Sequence, residues 1–158
     1  MFYNDPLEVN ADVWTELLTN REVTREQDIR VLKTVYESKN HEIRASEIAS
    51  KLNLSHHAPL NAQISRFSKR VIAKTGVQPP LRRDGKPRWW HVPFLGYEKD
   101  GSFPWIMRPE LARAFESLFG SEESEVIDSG EITIEDTPLL HEVVFQIFCN
   151  SSEPCLLV

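Results

Sequence analysis

A chain of 158 residues, 41% hydrophobic and 27% charged, has an ordinary globular composition and room for one domain plus an appendage. No apolar run approaches the ~20 residues that cross a bilayer, and Met1-Phe2-Tyr3-Asn4-Asp5-Pro6 lacks the pattern of a secretory signal. The two cysteines, Cys149 and Cys155, have no partners at zinc-ligand spacing. A disulfide between them is the alternative to free thiols in a reducing cytosol, and the free thiols are favoured, so the expectation is a cytoplasmic protein with no membrane contact, metal or cofactor.

The net charge of −6 is unevenly spread. Residues 1–39 carry 5 basic and 8 acidic side chains, residues 40–120 carry 13 and 7, and residues 121–158 carry no basic one and 9 acidic. Between Arg66 and Arg88 there are 8 basic side chains against Asp84 alone. Such a segregated cationic stretch speaks to partners more than the total does.

In chain order, Val13, Trp14, Leu17 and Leu18 mark a short helix over Asp12–Leu18. Thr24 followed by Gln27 fits a capping box, and Ile29, Leu32, Val35 and Tyr36 then define an amphipathic helix from Arg25 to about Ser38. Ser46 is placed to cap a helix running through Leu52. Asn53-Leu54-Ser55 is a tight turn, because Asn tolerates left-handed backbone. Pro59 suits the first turn of the next helix, in which Leu60, Ile64, Phe67 and Val71 form one stripe. At 100° per residue from Leu60, that stripe spans about 340° to 40°. Asn61, Ala62, Ser65, Arg66 and Lys69 fall on the opposite side. Gly76 closes the helix and Pro79-Pro80 prevents its continuation.

Asp84-Gly85 then signals a turn. Trp89–Tyr97 and Phe103–Met107 read as two strands joined by a hairpin at Lys99-Asp100-Gly101, with Pro93 and Pro104 directing them to sheet edges or bulges. A last helix begins at Pro109-Glu110, with Leu111, Ala114, Phe115 and Leu118 inward and Gly120 as its stop. Beyond it come an acidic linker (Ser121–Gly130), a strand candidate (Glu131–Glu135) and an apolar segment (Leu139–Phe148).

The fold class expected from this order is α+β, a winged helix-turn-helix-like domain of helices plus a β-hairpin wing, with an acidic C-terminal extension. Residues 1–40 would be a helical segment packed on the core, 41–120 the winged domain, and 121–158 the linker and extension. In such a domain the second helix of the helix–turn–helix enters the DNA major groove. Asn61, Ser65, Arg66 and Lys69 are therefore the candidate readers of bases, with Ser55 and His57 at the turn. Arg70, Arg82, Arg83, Lys86, Arg88 and Lys99 are the candidates for phosphate, since each neutralised phosphate releases counterions. Trp89 and Trp90, adjacent on a strand, would point to opposite faces, one building the wing and the other free to stack on an exposed base.

No nucleophile elbow, P-loop, zincin motif or Cys/His pair is present, so no catalytic residue is expected. His56-His57, adjacent on the chain, suit one metal ion poorly.

The stretch "ASEIASKLNLSHHAPLNAQISRFSKRV" followed by "RWWHVPFLGYEKDGSFPWIMRPELARAFESL" resembles the N-terminal modules of some HNH-type restriction endonucleases. The shared features are the helix–turn–helix and a Trp-Trp hairpin ending in Arg108-Pro109-Glu110-Leu111, over about residues 40–120. The resemblance implies a DNA-recognition module, sensing sequence or base modification in a restriction or defence system, with nuclease chemistry in a separate domain. Double-stranded DNA is then the expected partner. The alternative is a regulatory adaptor whose acidic tail binds a partner protein's basic surface, and that tail could also compete with DNA for the cationic patch.

Overall fold

The computed structural model of the chain describes residues 1–120. The linker, strand candidate and apolar segment expected after Gly120, and the roles considered for the acidic tail, lie outside the described residues. No helix among the described residues is long and apolar enough to cross a membrane.

The chain is α+β. A two-residue strand β1 (Phe2–Tyr3) precedes α1 (Ala11–Thr19), where the Asn10 side chain accepts the Val13 N–H at 2.9 Å and Trp14, Leu17 and Leu18 are buried. Helix α2 (Glu26–Tyr36) starts one residue later than a Thr24 capping box requires. The Thr24 hydroxyl donates instead to the Leu17 carbonyl at 2.7 Å, and the Arg25 N–H donates to Asp28 Oδ2 at 2.8 Å. Thr24 is thereby occupied in fastening α2 to the end of α1, and the carboxylate of Asp28 does the capping.

A three-residue strand β2 (Glu42–Arg44), which the sequence did not announce, runs directly into α3 (Ala45–Lys51). Ser46 is thus the second helical residue and not the cap. Arg44, already extended because it ends the strand, holds the cap position, and its N–H donates to Glu47 Oε2 at 3.0 Å. Asn53 takes the left-handed conformation (φ 57°) in the turn to α4 (Ala58–Thr75). As the spacing predicts, Leu60, Ile64, Phe67 and Val71 are all fully buried.

After α4 a small loop is pinched between Leu81 and Pro87, with the Arg82 N–H donating to the Lys86 carbonyl at 2.7 Å. Trp89–His91 is not a strand but one 3-10 turn. Arg88 N–H donates to the Pro80 carbonyl, Val92 N–H to that of Trp89, and Pro93 has no N–H to offer a ladder, so pairing begins only at Phe94. At three residues per turn, the two tryptophans diverge by about 120° and not by the half-turn of a strand.

Strands β3 (Phe94–Tyr97) and β4 (Pro104–Met107) form the hairpin, whose tip places both Asp100 (φ 51°) and Gly101 (φ 71°) in left-handed backbone, as a type I′ turn demands. The sheet order is β1-β3-β4-β2, antiparallel throughout, with Ile43 opposite Trp105 and Phe2 opposite Tyr97. The hairpin is therefore central, and the expectation that its prolines would set it at an edge fails. Pro104 is tolerated because it is the first residue of its strand, opposite Arg44. Helix α5 (Pro109–Phe119) buries Leu111, Ala114 and Phe115 and packs along α1. The rings of Phe94 and Trp105 stack at 5.0 Å in the core between sheet and helices.

Candidate nucleic-acid interface

Helix α4 has two sides of different chemistry. Its buried stripe docks on the core, and its outer side presents Asn61, Arg66 and Lys69 exposed, with Ser65 half-buried. Ser55 and His57 are exposed in the approach to the helix.

The cations of the basic stretch divide into two groups. Arg82, Arg83 and Lys86 are exposed on the pinched loop, where Arg82 has only a 3.8 Å contact with Asp84, itself solvent-facing. Lys99 is exposed at the hairpin tip. Arg70 and Arg88 are drawn inward. Arg70 donates to Asp28 Oδ2 at 2.5 Å and to the Val23 carbonyl at 2.7 Å, tying α4 to α2. Arg88, only 15% exposed, lies over the Tyr3 ring at 4.4 Å and faces the Asp5 carboxylate at 3.6 Å. The sequence-level grouping of Arg70 and Arg88 with the phosphate candidates thus needs amending, because both guanidinium groups hold the fold.

The paired tryptophans are both half-buried and serve different neighbours. Lys69 Nζ stands 5.5 Å from the centre of the Trp89 ring, so the 3-10 turn packs on α4 beside the helix's exposed cations. Trp90 meets Tyr3 edge-on at 5.7 Å and Phe103 at 4.7 Å. Pocket-forming space opens between α4 and the hairpin, a cleft of about 560 Å³. Along it lie His57 at the cap of α4, Asn61 and Ser65 from the helix itself, Arg44 from the end of β2, and Trp90 with Phe103 from the hairpin side.

Two buried ionisable residues, His91 and Arg108, hold the turn that carries Trp90, the His91 ring lying 4.9 Å from that of Trp90. His91 Nδ1 donates to the Phe94 carbonyl at 2.7 Å, an oxygen that can only accept, so in the neutral ring Nε2 is the acceptor and takes the Asp5 N–H at 3.1 Å. Burial pushes the His91 imidazole below its ordinary value, reinforced by the Arg108 charge, while the Phe94 carbonyl and the Asp5 carboxylate oppose that shift. Arg108 donates through Nε to the Val92 carbonyl at 2.9 Å and through a terminal nitrogen to the carbonyls of His91 and Asp5 at 2.7 and 2.9 Å. Burial lowers its guanidinium to about 10, so it is charged at neutral pH. It staples two separated segments by their backbone oxygens, the N-terminal one at Asp5 and the end of the turn bearing both tryptophans.

Of the residues singled out in the sequence, the fold brings His57, Asn61, Ser65 and Trp90 to one cleft. Lys69 and Trp89 meet beside it, and Lys99 stands on the hairpin next to the cleft's Gly101 and Ser102. Arg44 and Phe103 were not foreseen as site residues. Arg44 belongs to a strand too short to register as a pattern, and Phe103 read only as a strand residue.

Among the described residues, no cluster of His, Cys, Asp or Glu is placed to hold a metal ion. Neither a family model, nor a curated protein, nor a solved structure matches this chain.

Proposed function

We propose that the chain is a double-stranded DNA-recognition module of the winged helix–turn–helix type. The order α2–β2–α3–α4–β3–β4, with β2 paired to β4, supports that architecture, α4 being the recognition helix and the β3–β4 hairpin the wing. The observation that carries the reading is the exposed side of α4: Asn61, Arg66 and Lys69 face solvent while four apolar residues behind them are wholly buried. A rigidly backed helix that offers an amide, a guanidinium and an ammonium suits a groove lined by base edges and phosphates. Arg82, Arg83 and Lys86 supply phosphate contacts from the loop, and Lys99 from the wing. The likeness to recognition modules of HNH-type restriction endonucleases is the ground for assigning the module to a restriction or defence system.

The test is a duplex titration at several salt concentrations, with the wild type and with Arg82→Ala, Arg83→Ala and Lys86→Ala combined. Each phosphate contact steepens the salt dependence by about 0.9 in the log–log slope. The triple variant should lose two to three from that slope and bind more weakly at every salt concentration. Unchanged affinity and slope would overturn the assignment.

A further inference from the structure

We infer that the cleft between α4 and the hairpin binds a single unstacked nucleotide, which makes the module a reader of extruded or unpaired bases. This deepens the DNA-binding reading and rests on it for the source of the base.

Four observations carry the inference. The first is size: about 560 Å³ lies within the range of small-molecule sites and is far too little for a double helix. A base that enters has left its stack. The second is the wall of Trp90 and Phe103, half-buried rings 4.7 Å apart and inclined at 75°, which leaves aromatic surface open to the cleft. Stacking on aromatic rings is how proteins hold bases out of a helix, and it tolerates any base because each has a π-face.

The third is the opposite wall. The cap residue His57 and the α4 residues Asn61 and Ser65 succeed one another at intervals of four, so they form one row facing the cleft. The Asn amide offers both donors and an acceptor, and the Ser hydroxyl does either, which matches the mixed edge of a nucleobase. The fourth is charge. Arg44 is exposed at the cleft, where none of the described lining residues is acidic, and the nearby Glu47 carboxylate is engaged by the Arg44 backbone N–H at 3.0 Å. An aromatic corner, a hydrogen-bonding row and one exposed cation correspond in turn to the base, its edge and its phosphate.

Asn61 and Ser65 lie where the outward side of α4 borders the cleft, so the row that meets a groove also meets a base brought out of it.

The base can come from a duplex or from a single strand, and the experiment separates these. The full chain is titrated with three DNAs of equal length: a paired duplex, the same duplex with one bulged 2-aminopurine, and a single strand carrying 2-aminopurine. The wild type should bind the bulged duplex at least tenfold more tightly than the paired one and change the 2-aminopurine emission on binding. Phe103→Leu, which removes a ring of the cleft and lies outside the surface offered to the paired duplex, should bring that preference close to one while paired-duplex affinity stays within about threefold. Trp90→Phe, which keeps an aromatic ring at the position, should retain the preference.

If paired and bulged duplexes bind equally, with no change in emission, the cleft proposal fails while the DNA-binding reading stands. If the single strand binds with the Phe103-dependent emission change but no duplex binds, the nucleotide site stands and the double-stranded reading fails. If no DNA binds at low salt, both fail.

Discussion

Arg70 on α4 and Asp28 on α2 form an ion pair at 2.5 Å in which the carboxylate is almost wholly buried and the guanidinium is 21% exposed. Asp28 is held further by the Arg25 N–H at 2.8 Å and the Gln63 amide at 3.4 Å. Removal of Arg70 would leave a buried carboxylate with its strongest partner gone. Arg70→Ala should cost about 2–4 kcal/mol, with the upper part of the range for a buried pair reduced because Arg70 keeps some solvent. Arg66→Ala, four residues earlier on the exposed side, should change stability by no more than about 0.5 kcal/mol while weakening duplex binding. Urea unfolding of the two variants, beside their duplex titrations, checks this separation of a structural arginine from an interface one.

Gly96 on β3 lies against the ring that lines the cleft. A Cβ there would sit 2.6 Å from Phe103 Cε1 and 3.0 Å from the Pro104 carbonyl oxygen. The ring cannot swing away freely, because Tyr3 and Trp90 pack against it at 5.5 and 4.7 Å. Gly96→Ala should therefore cost about 1–3 kcal/mol, the usual range for overpacking. It should also weaken binding of the bulged duplex more than that of the paired one, since Phe103 is displaced within the cleft.

His91 makes stability sensitive to acid. The fold accommodates the neutral ring, so the unfolded chain takes up a proton more readily. Stability is full above the ordinary histidine value of about 6.5. It declines as pH falls below that point and levels off only beneath the lowered native value. The charges facing the ring are those of Asp5 and Arg108, with Arg88 acting on Asp5. The urea midpoint of the wild type should drop between pH 7.5 and 5.5. His91→Gln should be less stable at pH 7.5 but should show a smaller drop. Equal drops in the two proteins would remove His91 as the cause.

Ser68, on the buried side of α4, has a hydroxyl that is fully enclosed and without a hydrogen-bond partner. Its replacement by alanine removes an uncompensated polar atom without leaving a space large enough for another group. Ser68→Ala should be neutral or stabilising by up to about 1 kcal/mol, seen as a higher melting temperature with duplex affinity unchanged.

The sequence was most legible where one period runs long enough to decide an element. Leu60, Ile64, Phe67 and Val71 announce α4 and its inward side, and the residues between them announce its outward side. β1 and β2 were illegible because two or three residues contain no period. Trp89–His91 was misread for another reason: aromatic and β-branched residues favour strands, but the hydrogen bonds of the turn and the missing N–H of Pro93 outweigh that preference. The charge count could not tell Arg82 and Arg83 from Arg70 and Arg88. What distinguishes them is a partner far away in the chain, Asp28 for Arg70 and Tyr3 with Asp5 for Arg88. The cleft was half legible, since its α4 row follows from helix spacing whereas Arg44 and Phe103 reach it only through the β2–β4 register.

That register carries a cost during synthesis. Phe2 pairs with Tyr97 and Ile43 with Trp105, so both outer strands leave the ribosome long before the central hairpin that receives them. Closing such distant contacts is slow compared with forming α1 or α2. A nascent chain stalled near residue 90 should hold its early helices yet leave two strand segments without neighbours, exposed to proteases and chaperones until translation passes Met107.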